Sequence, residues 1–415
     1  MQKKSLAFGL SFLVSLCAVW SIGSLFIESA GSSAGVLAAA REAPAKLTRV
    51  GVLLPQGSLS FAADYVRAGA ELALSDLTAG TKIELAFDGY GERASKAQIA
   101  AAIDRLAAQK VSAIVGLANS LGAQELLENA AAKYLPVIAL GAAEDRLSIA
   151  PSSKWLFRLS SSVDQDISAL AYDALAQLPD ERGKNLAVLA SADAESTRAA
   201  AFLKMQLGAN SGAVVGLFGP NQIAQLAKTR PDKVFVVSLE TSLVMLPKLF
   251  AAGLNGRQIE LVPSNLADYS SQPWAGVMAF ACGLLPDQSV SPDLADRLAK
   301  RIGLPSSGAA LQSAALALAA KAYDAVKLAA TSTQQTNWQA GQPQAGQPQA
   351  GQPQAGQALR LALLRASMAA SVGPKGNQIS FDANGFLASP DYQRVCYDGQ
   401  GRYQNAGRYS LAASG

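Results

Sequence analysis

The sequence predicts an α/β protein built as two doubly wound lobes with a ligand cleft between them. Three observations lead there. Short, continuous apolar runs of four to six residues alternate with stretches of helical period, the pattern of parallel strands covered on both faces. That alternation begins near Arg49 and starts afresh near Leu156. The chain has 415 residues, too many for one average domain and suitable for two.

The first half reads as strands over 50–54, 82–87, 111–115 and 137–140, with helices over 64–77, 95–109 and 121–134. Pro55 and Gly57 end the first strand, and Gly116 ends the third. In the second half, strands are expected over 156–159, 186–189, 213–218, 233–237, 259–262 and 276–281. The intervening helices fall over 163–177, 194–207, near Gln222 and over 241–252. After Pro286 helices are expected over 292–302, 309–330 and 358–370, then short strands around 379–381, 392–396 and Tyr403. The unit Ala340-Gly341-Gln342-Pro343-Gln344 recurs at 345–349 and 350–354. It carries no apolar side chain larger than Ala apart from Pro, so residues 331–356 are expected to form a flexible low-complexity insertion.

The N-terminus carries an export signal. Lys3 and Lys4 precede an uncharged apolar run over 6–27. Two outcomes stay open for residues 1–40: cleavage after Ala38-Ala39-Ala40, or retention of a single membrane anchor, for which the run is long enough. Leu16 before Cys17 argues against a lipoprotein signal, which wants a small residue there. In either case the folded part lies outside the cytoplasm, in the periplasm or its equivalent. An oxidising compartment permits a disulfide between Cys282 and Cys396, both in strands.

Composition excludes several functions. The chain has no His, which removes the commonest general base and the usual zinc ligand. There is no CxxC pair, no GxxxxGK[ST] phosphate loop, no GxSxG elbow and no HExxH. A formal charge of +4 without Lys/Arg clusters does not make a nucleic-acid footprint. No enzyme, metal or cofactor is expected. Gly89-Tyr90-Gly91-Glu92-Arg93-Ala94 imitates a dinucleotide fingerprint, but it follows the second strand, lacks a third Gly and has no acid about 20 residues on. It reads as an ordinary strand-to-helix loop.

Binding candidates come from loops at strand ends, where open α/β sheets take their ligands. Asn119 and Ser120 lead into a helix expected from Leu121, so backbone N–H groups and a hydroxyl can meet an anion there; the alternative is that Ser120 serves only as the cap. Gly141 and Ala142 follow the neighbouring strand. Glu240 and Asp268 follow strands of the second half, and each can equally act as a helix-capping acid.

The order and spacing of four segments resemble one family. They are the helix with Arg67-Ala68-Gly69-Ala70-Glu71-Leu72-Ala73; the run from Val111 through Gln124 closing with Leu135-Pro136-Val137-Ile138; Phe157-Arg158-Leu159; and Ile379-Ser380-Phe381-Asp382-Ala383-Asn384-Gly385 with Tyr392 to Val395 behind it. Over residues 48–410 the chain resembles type I periplasmic binding proteins, in particular the leucine/isoleucine/valine-binding proteins of ABC transporters. The resemblance implies hinge closure around a small solute, an ABC permease as partner, and three crossings between lobes near Ser160, Cys282 and Pro374. Lobe 1 would be 48–160 with 284–373, and lobe 2 would be 161–282 with 375–415. It implies that Ser120, Gly141 and Ala142 hold the ligand's carboxylate end and that Phe61 walls its apolar side. Ala143 stands where the family usually has Thr, Glu195 where it often has an aromatic, and Ser264 about where its ammonium-pairing acid falls. Glu195 or Glu240 would then close from lobe 2 on an amino acid, an amide or a carboxylate. A membrane-tethered sensor or envelope scaffold on the same fold is the alternative.

Overall fold

The computed structural model describes residues 47–410 apart from 58–59, 78–81, 92–93, 117–121, 142–150, 178–184, 212–213, 238–244, 263–279, 304–309, 337–352, 374–376 and 399–402. The expected signal or anchor therefore lies outside the described residues. Among those described, no helix is long and apolar enough to cross a membrane.

The first sheet contains β1 (Leu47–Gln56), β2 (Lys82–Gly91), β3 (Ala113–Gly116), β4 (Val137–Ala139) and β5 (Leu156–Arg158), in the order β2-β1-β3-β4-β5. All its pairings are parallel. Helices α1 (Ser60–Asp76), α2 (Lys96–Ala108) and α3 (Ala123–Ala132) connect the first four strands. The second sheet contains β6 (Asn185–Ala190), β7 (Val214–Phe218), β8 (Lys233–Val237), β9 (Ile259–Leu261) and β10 (Cys282–Pro286), all parallel. Its helices are α4 (Val163–Gln177), α5 (Ala194–Ser211), α6 (Ile223–Lys228) and α7 (Leu246–Ala251). There follow α8 (Pro292–Ile302), α9 (Ala310–Gln335), α10 (Pro353–Arg365), the hairpin pair β11 (Ser367–Ala369) and β12 (Gln378–Ser380), and then β13 (Asp391–Tyr397) and β14 (Tyr403–Ser410). β13 and β14 join the second sheet antiparallel beyond β10.

The inner strands of each sheet are buried on both faces, which is why they read as unbroken apolar runs. Val50, Val52 and Val115 face a core shared with α1, α8 and α9, whereas Leu53, Ile114 and Val137 face α2 and α3. In the second sheet Val188 and Phe235 pack under α4 and α5, and Leu189 and Val236 under α6 and α7. Local signals agree with the boundaries. Ser95 and Gln98 form a reciprocal capping box at the start of α2. Pro292 opens α8, and Gly303 ends it at φ +75°.

The small residues of α1 and α9 allow a very close helix crossing. A Cβ on Gly69 would stand 1.9 Å from the Ala319 carbonyl oxygen. Gly69→Ala is therefore expected to destabilise the fold by about 3 kcal/mol, because backbone rather than a pliable side chain must give way. A urea titration checks it. The end of α1 is also clasped to the middle of α9 and to α8. Asp76 accepts from Arg297 of α8 at 2.5 Å and from the Tyr323 hydroxyl of α9 at 2.8 Å. Burial pushes the Asp76 carboxyl up, but the bonds from Arg297 and Tyr323 outweigh it and hold the group below its usual value. A lowered carboxyl stabilises the fold above its unfolded value of about 4 and stops doing so as pH falls through the folded value. The urea midpoint should drop on acidification below about pH 4, and less steeply in Asp76→Asn.

Several expected boundaries move. The helix expected over 358–370 starts at Pro353 and stops at Arg365, because 367–369 pairs with 378–380 instead. Both ends of the expected insertion 331–356 are helical. Helix α9 runs on to Gln335 with Ser332 and Thr333 buried, and the last repeat enters α10. Ala355 is buried, and a Cβ on Gly356 would stand 2.0 Å from the Tyr134 carbonyl oxygen. Small size is what lets Ala355 and Gly356 pack there, just past the last repeat, whose Pro353 and Gln354 are exposed. Of the strand expected over 276–281, residues 276–279 lie outside the described residues, and the strand of this region is Cys282–Pro286.

Candidate functional site

The chain passes between the two sheets three times. It leaves β5 and enters α4, whose Ile167 and Leu170 pack on the second sheet. It leaves β10 and enters α8, whose Leu294 and Leu298 pack on the first. It leaves the 379–381 segment, whose Ile379 and Phe381 belong to the first core, and enters β13. The second crossing thus follows Pro286 rather than Cys282, because all of 282–286 is paired within the second sheet. The third falls between Phe381 and Asp391 rather than near Pro374, because Ile379 and Phe381 are seated in the first core.

Both β5 and β10 are parallel strands left at their carboxyl ends. The carboxyl edges of both sheets therefore meet at the hinge, where α/β sheets take ligands. The crossings are tied to one another. Ser162 and Gln165 form a capping box at α4: Gln165 N donates to Ser162 Oγ at 3.1 Å, and Ser162 N donates to Gln165 Oε1 at 2.9 Å. The Gln165 side chain also donates to the Leu387 carbonyl at 2.8 Å, and Arg158 N donates to the Gly385 carbonyl at 2.9 Å. Asp287 N donates to the Asp391 carbonyl at 2.8 Å.

Of the expected ligand residues, Asn119, Ser120, Ala142 and Glu240 lie outside the described residues. So do Asp268, Ala143 and Ser264. Gly141 stands, half-buried, just past β4 at the carboxyl edge. Phe61 and Glu195 occupy the first turns of α1 and α5, each following a strand of its sheet; their side chains are not among those described. Helix α3 starts later than expected. Its cap is Gly122 at φ +65°, with no side-chain cap bond, so Ser120 is not the capping residue of α3.

The edges also carry polar groups that the sequence reading did not single out. On the first sheet Tyr90, near the end of β2, packs where a Gly122 Cβ would sit. Burial, with a smaller effect from Glu125, pushes its phenol up to about 12, so it stays a neutral donor and acceptor. On the second, Asp193 caps α5 by accepting from Ser196 N at 2.7 Å, and Ser191 Oγ donates to its other oxygen. Burial raises the Asp193 carboxyl, but these bonds overcome it and leave the group below its usual value. An acid just ahead of a helical run is a readable cap signal, and Asp193 could have been found that way. Among the described residues no group of His, Cys, Asp and Glu could hold a metal ion.

Comparison with known proteins fits this geometry. The sequence profile of the periplasmic binding protein family matches residues 48–336, well over half of the chain. The chain belongs to that family. No curated protein matches this periplasmic binding protein significantly by sequence. Solved structures share its fold. A branched-chain amino acid ABC transporter periplasmic ligand-binding protein from Burkholderia xenovorans superposes with a TM-score of 0.65 at 14% identity, covering 88% of this chain and 96% of that one. A solute binding protein of an ABC transporter from R. palustris, in complex with benzoate, gives 0.58 at 17%, covering 89% and 98%. A branched-chain amino acid transporter substrate binding protein from Streptococcus pneumoniae, in complex with isoleucine, gives 0.56 at 18%, covering 88% and 99%. The resemblance to type I periplasmic binding proteins thus holds for family and fold. Membership implies an extracytoplasmic place and a generic ligand-binding role.

Proposed function

We propose that this periplasmic binding protein is the substrate-binding component of an ABC transporter, closing its lobes on a small carboxylate and presenting it to a permease. The observation that carries the reading is the meeting of two carboxyl sheet edges at a triple crossing. Lobe 1 would comprise 47–158 with 292–381, and lobe 2 would comprise 163–286 with 391–410. Asn119, Ser120, Gly141 and Ala142 would hold the carboxylate end and Phe61 would wall the apolar part; Glu195 or Glu240 would close from lobe 2 only on a ligand that carries an ammonium. Closure would be a population shift toward the liganded state.

Structural relatives bind both isoleucine and benzoate. A carboxylate without an α-ammonium is favoured here, because Ser264 stands about where the family's ammonium-pairing acid falls. A buried ammonium without an acidic partner is costly. Calorimetric titration with matched pairs, leucine against 4-methylpentanoate and phenylalanine against 3-phenylpropanoate, tests the preference. The des-amino member of a pair should bind more tightly; tighter binding of the amino acid would contradict it. Ser120→Ala should weaken the better ligand about tenfold, the worth of one hydrogen bond to a charged group. Unchanged affinity would remove Ser120 from the site.

A further inference from the structure

A cavity lies where the three crossings meet. Ser160 and Ser161 line it from the first, Pro286 and Asp287 from the second, and Asp391 from the third. Helix α9 of the first lobe contributes Lys321. Lys321 is partly buried by area, and its ammonium is densely surrounded. Among the described residues no hydrogen bond or ion pair reaches that ammonium. The charge that acts on it is Asp166, on α4 of the second lobe, whose Oδ1 accepts from the Tyr392 hydroxyl at 3.0 Å.

Asp324 and Asp287, which also line the cavity, are engaged elsewhere. Asp324, one turn along α9, accepts from Ser371 N at 2.8 Å and Ser371 Oγ at 2.6 Å. Asp287 accepts from Ser289 N at 2.9 Å and faces Arg408 Nε of β14 at 3.3 Å. The Asp391 carbonyl accepts from Asp287 N.

We infer that Lys321 is a charge-operated latch across the hinge, so that rotation of the lobes is coupled to gain and loss of its proton. Lys321 moves with lobe 1 and Asp166 with lobe 2. Any rotation changes their separation and the access of water to the ammonium. Burial pushes the Lys321 ammonium down to about 8, with Asp166 only partly opposing it. The arrangement described thus holds this proton less tightly than one in which the ammonium reaches water or Asp166. The sign follows from linkage. The arrangement that binds fewer protons gains population as pH rises through about 8, and its rival gains below that. Burial pushes Asp324 up to about 6, with the Ser371 bonds opposing, so its change of charge falls below this window.

Small-angle scattering of the ligand-free protein at about pH 7 and about pH 9.5, on either side of the Lys321 transition, tests the latch. The wild-type profile should change between the two. Lys321→Met should give the wild-type high-pH profile already at neutral pH. Lys321→Arg, charged throughout, should give the wild-type neutral-pH profile at both. If Lys321→Met does not fold by circular dichroism, the wild-type and Lys321→Arg series decide alone. A wild-type profile that does not change, or a pH response that survives in Lys321→Arg, would overturn the inference.

Discussion

Replacing Arg394 with Met is expected to cost about 3–5 kcal/mol, the range for breaking a buried ion pair from one side. Arg394 lies on β13, and its guanidinium bridges two acids from different elements. One nitrogen bonds Asp173 of α4, and Nη2 donates to Glu260 of β9 at 3.0 Å. Glu260 also accepts from Lys233 Nζ at 2.8 Å. Asp173, Glu260 and Arg394 are all buried. Removing the guanidinium takes away the cation that both carboxylates face, and water cannot readily replace it. Changing Arg394, Asp173 and Glu260 together to apolar residues of similar volume should cost less than Arg394→Met alone, because the one charge left without its partner, Lys233, is only partly buried and can reach water. Urea denaturation of the single and triple variants measures both quantities. A single-variant loss under about 1 kcal/mol, the scale of an exposed pair, would show the cluster to be solvated.

The second large effect lies two residues away. Cys282 and Cys396 are directly opposite each other on β10 and β13 and form a disulfide across a sequence separation of 114. On the chain-entropy account, closing a loop of that length stabilises the fold by about 4–5 kcal/mol. Cys282→Ser with Cys396→Ser should lower the urea midpoint accordingly. Thiol labelling of the unreduced, unfolded protein, read by peptide mass, should leave both cysteines unmodified. Labelling of either without reductant, or a double variant as stable as the wild type, would contradict the bridge. The bond and the Arg394 cluster together fasten β13, the strand by which the chain returns from the third crossing, to the middle of the second sheet.

The lobes were legible in the sequence because burial on both faces leaves no polar alternation along a strand. Val50-Gly51-Val52-Leu53-Leu54 and Val137-Ile138-Ala139-Leu140 could hardly be other than inner parallel strands. Small residues were harder to read. Gly69 and Gly356 are close-approach positions whose partners, Ala319 and Tyr134, are far away in sequence. Nothing local distinguishes such a Gly from one in a loop. For the same reason Ala355 and Gly356, which follow the last Ala-Gly-Gln-Pro-Gln unit, resembled solvent-exposed chain. The crossings were displaced because membership of a core is a long-range property: Ile379 and Phe381 carry no local mark of the sheet they pack on. The strand-end loops that carry the ligand candidates were found by position alone, through the rule that α/β sheets bind at their carboxyl edges. Lys321 carried no signal of its own. A Lys on an Ala-rich helix reads as surface until the three crossings are seen to close over it.

The most direct measurement of the central claim is a thermal-shift panel on the exported protein, with amino acids, amides, and aliphatic and aromatic carboxylates. A ligand present at 100 times its Kd stabilises a one-site protein by roughly 2.7 kcal/mol, which moves the melting transition clearly. At least one strong shift is expected, among the carboxylates. A flat response across the whole panel would contradict a solute-binding cleft and favour an envelope scaffold on the same fold.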